Sequence, residues 1–449
     1  MALKENELQI IKIKNLLEKN LVIPEYQRPY RWNKETVLTL FNDLFAAYEN
    51  NSEKEYRIGT VILFNKGEEY EIVDGQQRIT TLSLLFLASE TNTKNNLMNL
   101  KYNELSFESI YTNYIILKNK FNNITQKEKN NFVDYINNNC TMVQIVIDGN
   151  ENEFEGRQEA FQFFDSQNTR GKSLAPHDLL KSYHLREMND EKLDTKIKII
   201  NEWESTKQSE LEILFKEYLF PITQWYKGKN GLGYSSRNID VFKGINLNNI
   251  FNYAIYHKAS NIFIEQTNKF GATELISSEP LNQFQLTQPI IAGKRFFEYA
   301  IHYNELIKNI ENIMKLRMRR LIGGEISEYL PRERTGDAYI YKLFLCELMF
   351  FADKFGVQQI TDEIVKKLYV WAYSLRLSML AVYPETINKY SLGNHGRIQN
   401  SNIFAYMNEM SQPQDLDLLI LSYDNNHTKN NKYQHILNCI KEFTGDNDV

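Results

Sequence analysis

Asp74, Gly75, Gln76, Gln77 and Arg78 stand in a row between one short apolar run and the start of another. One carboxylate, one glycine, two carboxamides and one guanidinium are suited to phosphate chemistry. A helix start offers backbone N–H groups to an anion, the amides add donors, and an arginine fork grips two phosphate oxygens at once. Tyr70, Ile72 and Val73 read as a strand, and Ile79, Leu82, Leu85 and Phe86 repeat at helical spacing. The Asp-Gly pair marks the turn between them. Arg78 then falls in the first helical turn, where unpaired N–H groups already make the helix end positive. A negative partner is expected there, either Asp74 or a bound phosphate. The same residues also suit an ordinary strand–turn–helix with Asp74 as the helix cap.

Three other stretches carry possible chemistry. "IPEYQRPYRWN" sets Tyr26, Tyr30 and Trp32 around Arg28 and Arg31. Arginine beside aromatic planes suits a nucleotide base with its phosphate; the alternative is a loop pinned to the core by its aromatics. "SQNTRGKSLAPHDLLK" ends like a phosphate-binding loop at Gly171, Lys172 and Ser173, but Ser166 stands where the first glycine is needed. The preceding "EAFQFF" is helical in pattern, so a P-loop is excluded, while Asn168, Arg170 and Lys172 still offer donors from a loop. "MKLRMRRLIGG" gathers Lys315, Arg317, Arg319 and Arg320 near one helix end. Such a cluster suits DNA phosphates, or else a solvated face that complements the helix C-terminus.

The 449 residues carry 42% hydrophobic content and a net charge of -5. That is enough for a large core in two or three domains and excludes a uniformly basic nucleic-acid coat. Cys140, Cys346 and Cys439 are too scattered for a disulfide framework or a zinc site, which fits a cytoplasmic location. No apolar run is long enough for a membrane span. The seven histidines show no metal-ligand spacing, and His177 and His184, seven apart, are read as structural.

Several elements must position these residues. Residues 5–19 read as a helix with Leu8, Ile11 and Leu16 on one face. "KETVLTLFNDLFAAYE" is an amphipathic helix; "YRIGTVILF" and "YEIVDG" form a hairpin, and "TMVQIVIDG" is a third strand. "RQEAFQFFDSQN" and "APHDLLKSYHLRE" read as helices, the second with Pro176 in its first turn. Beyond about residue 187 the pattern is helical throughout, with "WYKGKNGLGYSSRNID" as the clearest loop.

Taken together, "IPEYQRPYRW", "IGTVIL", "YEIVDGQQRITTL" and "FFDSQNTRGKSLAPHDLLK" occur in the order seen in the N-terminal domain of GmrSD-type restriction proteins. The chain resembles that family over residues 8–185, and "LTQPIIAGKRFFEYAIHYNEL" extends a looser similarity to about residue 320. The resemblance implies an α+β chain: a ParB/sulfiredoxin-like α/β domain over residues 1–187, then a mostly helical region over 188–449. It implies binding and hydrolysis of a nucleoside triphosphate, GTP or ATP with Mg²⁺, in a defence system that recognises modified phage DNA. Asp74, Gly75, Gln76, Gln77 and Arg78 would sit at the phosphates, with Gln27, Arg28, Asn168 and Gly171 completing the pocket. Asp74, the motif's only carboxylate, would position metal or water; Arg78 would stabilise charge on the transferred phosphoryl group.

Full-length members of that family usually end in an HNH-type nuclease domain. The nearest match here is "YQHILNCIKEF", where Gln434 replaces the acid and Asn438 the proline, and 14 residues follow His435. The expectation is therefore a regulatory subunit that acts with a separate HNH-containing homologue and touches DNA through Lys315, Arg317, Arg319 and Arg320. Two alternatives stay open: a DNA-binding or adaptor protein with a vestigial nucleotide pocket, and a nuclease that uses the ParB-like domain itself.

Overall fold

Val61, Ile62, Leu63 and Phe64 are consecutive, apolar and buried, as a strand covered on both faces requires. They lie near the middle of a mixed five-stranded sheet. The structure is a computed structural model that describes residues 8–24, 27, 29–91, 100–148, 175–188, 191, 193–245, 251–269, 281–322, 324–396, 398, 400–421 and 433–445.

The elements of the first part run β1 (Leu8–Lys12), α1 (Ile13–Leu17), β2 (Leu21–Val22), α2 (Lys34–Asn50), β3 (Tyr56–Asn65), β4 (Tyr70–Asp74), α3 (Gln76–Ser89), α4 (Phe107–Phe121), α5 (Gln126–Asn139) and β5 (Cys140–Asp148). Sheet order is β1-β5-β3-β4-β2. β3 pairs with β4 antiparallel, as the expected hairpin, and with β5 parallel from Tyr56↔Cys140 to Asn65↔Asp148. The register against β5 shifts between Arg57 and Gly59, a bulge that recurs in the site below. The helices close over the sheet through an aromatic cluster, in which Phe121 and Phe132 meet Phe41 edge-on at 5.4 and 5.7 Å.

The helix expected over residues 5–19 is corrected. Leu8–Lys12 is an edge strand, antiparallel to β5, and only Ile13–Leu17 is helical. Short apolar runs fit both periods. Here the open edge of β5 decides, with Ile11 turned inward and Ile10 outward.

The expected boundary was 187/188. Two compact units exchange helices on either side of it: α6 (Pro176–Arg186) belongs with the second unit and α7 (Leu193–Ser205) with the first. The described part of the second unit is helical, as expected. After α8 (Gln208–Ile213) and a π-helical stretch Leu214–Leu219 come α9 (Phe220–Trp225), α10 (Asp240–Lys243), α11 (Asn252–Lys269), α12 (Lys294–Leu321), α13 (Ile326–Tyr329), α14 (Thr335–Phe355), α15 (Asp362–Ser378), α16 (Pro384–Ser391), α17 (Ile403–Glu409) and α18 (Gln434–Thr444). The α14–α15 pair carries much of the core, and the buried ion pair Arg376–Asp337 ties them at 2.8 Å.

Candidate nucleotide site at the start of helix α3

Asp74 ends β4 opposite Ile62 of β3, and the chain turns at Gly75. Gly75, not Asp74, holds the cap position of α3, with φ 97°. A side chain there would be strained by that φ and would press on the Thr60 carbonyl and Val61 at 3.3 Å. The first helical bond runs from Ile79 N–H to the Gly75 carbonyl at 3.0 Å. The N–H groups of Gln76, Gln77 and Arg78 therefore lie at the open end of the helix. Gln76 is buried, and its Oε1 has no hydrogen-bond partner among the described residues. A half-turn about its last bond would present the amide nitrogen there instead, so the group can meet an acceptor or a donor.

Arg78 answers the question of a cation at a helix start in part. Its Nη1 donates to the Thr60 carbonyl at 2.6 Å. The guanidinium rests on Gly59 at the β3 bulge, where an added Cβ would meet it at 3.3–3.5 Å. Arg78 makes no other hydrogen bond or ion pair among the described residues, so Nε and Nη2 keep unspent donors. Gly59 and Thr60 are the residues that motif reading missed. The signal was the "IGT" of the strand, which carries no chemistry until Arg78 is seen to need a seat.

The loop before α2 is tied to this motif by amides. Gln27 Nε2 donates to the carbonyls of Ile72 and Val73 at 3.0 and 2.6 Å. Gln77 accepts from Arg31 N–H through Oε1 at 2.9 Å and donates to the Pro29 carbonyl at 3.2 Å. Both were expected to face a nucleotide; these side-chain atoms instead bond to backbone and hold the loop against β4 and α3. The pinning role weighed for the aromatics is what Tyr30 performs. It is fully buried, its hydroxyl lies 2.9 Å from Thr81 Oγ1, and Asn113 Nδ2 donates to it at 3.2 Å. Burial pushes the Tyr30 phenol up to about 12. Arg31 reaches Glu204 of α7, both carboxylate and carbonyl, at 3.0 and 2.5 Å. Arg28, Asn168, Arg170, Gly171 and Lys172 lie outside the described residues, and with them the expected meeting of Arg28 and Arg78 in one pocket.

The basic cluster on α12 is largely paired. Lys315 meets Glu311 at 2.7 Å, and Arg317 and Arg320 share Asp362 at 2.6 and 2.9 Å. Arg319 is exposed and has no ion pair among the described residues. His184 is packed flat on Phe296 with centroids 3.8 Å apart, accepts from Gly293 N–H at Nδ1 and faces the Phe242 carbonyl with Nε2. Two backbone partners and a ring stack make it structural. The three cysteines are buried and unbridged. No group of three or more His, Cys, Asp or Glu suited to a metal occurs among the described residues, and none of their helices is long and apolar enough to cross a membrane.

Residues 195–435 match a family of unknown function, DUF7834, over more than half of the chain. The chain belongs to the DUF7834 family. Residues 12–185 match the N-terminal domain of the GmrSD restriction endonuclease, so this DUF7834 protein carries a GmrSD-type N-terminal domain. Comparison with the curated proteins and with the solved structures gave no match. The GmrSD-type match ends within α6 and the DUF7834 match begins within α7. These are the two helices that the compact units exchange, so in this DUF7834 chain the sequence boundary and the packing boundary are offset by one helix in each direction.

Proposed function

We propose that the chain binds and hydrolyses a nucleoside triphosphate at the start of α3. In this reading it is the sensor or regulatory subunit of a modification-dependent anti-phage restriction system and works with a separate nuclease. The observation that carries the reading is the coincidence, at one helix start, of first-turn N–H groups with no side-chain cap, a buried Gln76 amide with an orphaned atom, and an arginine that keeps unspent donors. Groups of that kind suit a phosphate chain. The GmrSD-type match over residues 12–185 supports the restriction context.

The roles follow from chemistry. Hydrolysis needs water to attack the terminal phosphorus while the bond to the bridging oxygen breaks, and charge grows on the phosphoryl oxygens. Arg78, seated by Gly59 and Thr60, would stabilise that charge. Asp74 at the strand end would orient the water and is the residue to hold Mg²⁺, which when bound would neutralise phosphate charge. Gln76 would contact the phosphates or a water on them. Gln27 and Gln77 would act by fixing the loop rather than by touching the ligand. The pairing of three of the four cluster residues with Glu311 and Asp362 leaves the DNA contact on α12 less supported than the nucleotide site.

The test is turnover of GTP and ATP by the pure full-length chain, with and without Mg²⁺ and duplex DNA. Turnover that needs Mg²⁺ supports the reading. Binding to DNA with no nucleotide turnover would favour the adaptor with a vestigial pocket. Plasmid cleavage by the chain alone would favour a nuclease.

A further inference from the structure

Helix α11 is built inside out. Its buried positions are Ala254, Asn261 and Thr267. It is held by polar contacts: Glu265 to Arg295 at 2.5 Å, and both side-chain atoms of Asn268 to the Leu281 backbone at 2.9 Å. Its large apolar residues face outward instead, with Ile255 50%, Tyr256 77%, Ile262 48% and Phe263 58% exposed. Surface helices normally do the opposite, and an exposed apolar face of this size marks an interaction surface.

The pattern on that face is symmetric. Relative to the exposed Ala259, apolar residues stand three and four positions to each side: Tyr256 and Ile255 before it, Ile262 and Phe263 after it. Every exposed residue of the helix from Asn252 to Gln266 is uncharged. A face that meets its own copy across a two-fold axis must be self-complementary and free of like charges at its centre. We propose that α11 is a homodimerisation helix, paired antiparallel with α11 of a second copy about an axis through Ala259. In that register Ile255 faces Phe263 of the second copy, and Tyr256 faces Ile262 of the second copy. Ala259 at the crossing lets the two helices approach closely.

The area agrees with this occupant. Phe251, 67% exposed, extends the face at its N-terminal end. Scaled by their exposed fractions, Phe251, Ile255, Tyr256, Ile262 and Phe263 offer on the order of 600 Å² per copy, or about 1,200 Å² in a pair, at the lower end of stable interfaces.

The experiment is sedimentation equilibrium of the full chain over about 1–50 μM, with Ile255→Glu, Phe263→Arg and Ile262→Arg as variants. All three positions are exposed, so the variants should keep the circular dichroism and melting temperature of the monomeric fold. The wild type is expected to dimerise reversibly, and each substitution, which strikes the dimer twice, to weaken it on the order of a hundredfold or more. An equimolar mixture of Ile255→Glu with Phe263→Arg should recover a heterodimer, because one apolar pair is intact and the other becomes an ion pair. Ile255→Glu mixed with Ile255→Arg should not, because the two copies of residue 255 stand on the order of 12 Å apart along the paired helices. A wild type that stays monomeric, a dimer indifferent to the substitutions, or equal recovery in both mixtures overturns the proposal.

Discussion

Gly59→Ala tests how Arg78 is seated. The added Cβ would lie 3.3 Å from the guanidinium carbon and 3.4 and 3.5 Å from Nε and Nη1, at a backbone φ of 147° that favours glycine. Two costs follow. The backbone strain amounts to about 1–3 kcal/mol wherever a non-glycine residue is forced into such a region. Displacing the guanidinium weakens its bond to the Thr60 carbonyl; a hydrogen bond to a charged group contributes about 1.5–3 kcal/mol, and the half-exposed site keeps the value at the lower end. The sum is about 3 kcal/mol in the wild-type background, or a drop of about 6–12 °C in melting temperature for a unit of this size. In an Arg78→Ala background the second cost is gone, so Gly59→Ala should cost only about 1.5 kcal/mol there. The assay is a double-mutant cycle by denaturant and thermal melting, which needs no catalytic activity. Equal costs in the two backgrounds would refute the argument, because Gly59 would then serve the strand and not the arginine.

Other outcomes follow from named contacts. Gln77→Leu removes the partner of the Arg31 N–H and of the Pro29 carbonyl; it is expected to cost about 2–4 kcal/mol and to expose the loop to limited proteolysis, and a melt within about 0.5 kcal/mol of wild type would contradict this. Burial pushes the Asp353 carboxyl up to about 7, against the opposing pull of hydrogen bonds from Tyr303 and the Leu286 N–H. An acid that holds its proton more tightly when folded adds stability that is full below about pH 4 and is lost as pH rises through about 7, so Asp353→Asn should flatten that part of the pH–stability curve in denaturant melts. An unchanged slope would show that Asp353 does not titrate there. Asp362→Ala releases Arg317 and Arg320 from their shared carboxylate; if α12 touches DNA, affinity should rise and its salt dependence should steepen by up to about two counterions, whereas no change removes the patch from consideration.

Much of the site's scaffold was legible because it is local. The strand before Asp74, the turn at Gly75 and the apolar period from Ile79 to Phe86 are all encoded within a few residues, and the structure forms them where they were expected. What was not legible depends on partners distant in sequence. Gln27 and Gln77 have the composition of ligand residues, and only the chain path places backbone carbonyls within their reach. Asp362 lies 45 and 42 positions from the arginines it neutralises, so α12 looked more basic in sequence than it is in the fold. Leu8–Lys12 became a strand because β5 presented an unpaired edge, a fact no local period contains. The outward apolar face of α11 is hidden in the sequence, because period alone does not tell which side of a helix meets the core.

The most direct measurement of the central claim is nucleotide turnover beside thermal melting for Asp74→Asn and Arg78→Lys. Asp74→Asn keeps the shape and loses the negative ligand; Arg78→Lys keeps the charge and loses the planar fork. The Gly75 cap is untouched by the first, and the second retains a donor for the Thr60 carbonyl, so both proteins should melt near the wild type. If the start of α3 hydrolyses a triphosphate, each should lose turnover by roughly a hundredfold or more, as removal of transition-state charge stabilisation requires. Folded variants with wild-type turnover would contradict the account and leave Asp74, Gly75 and Arg78 as parts of a strand–turn–helix alone.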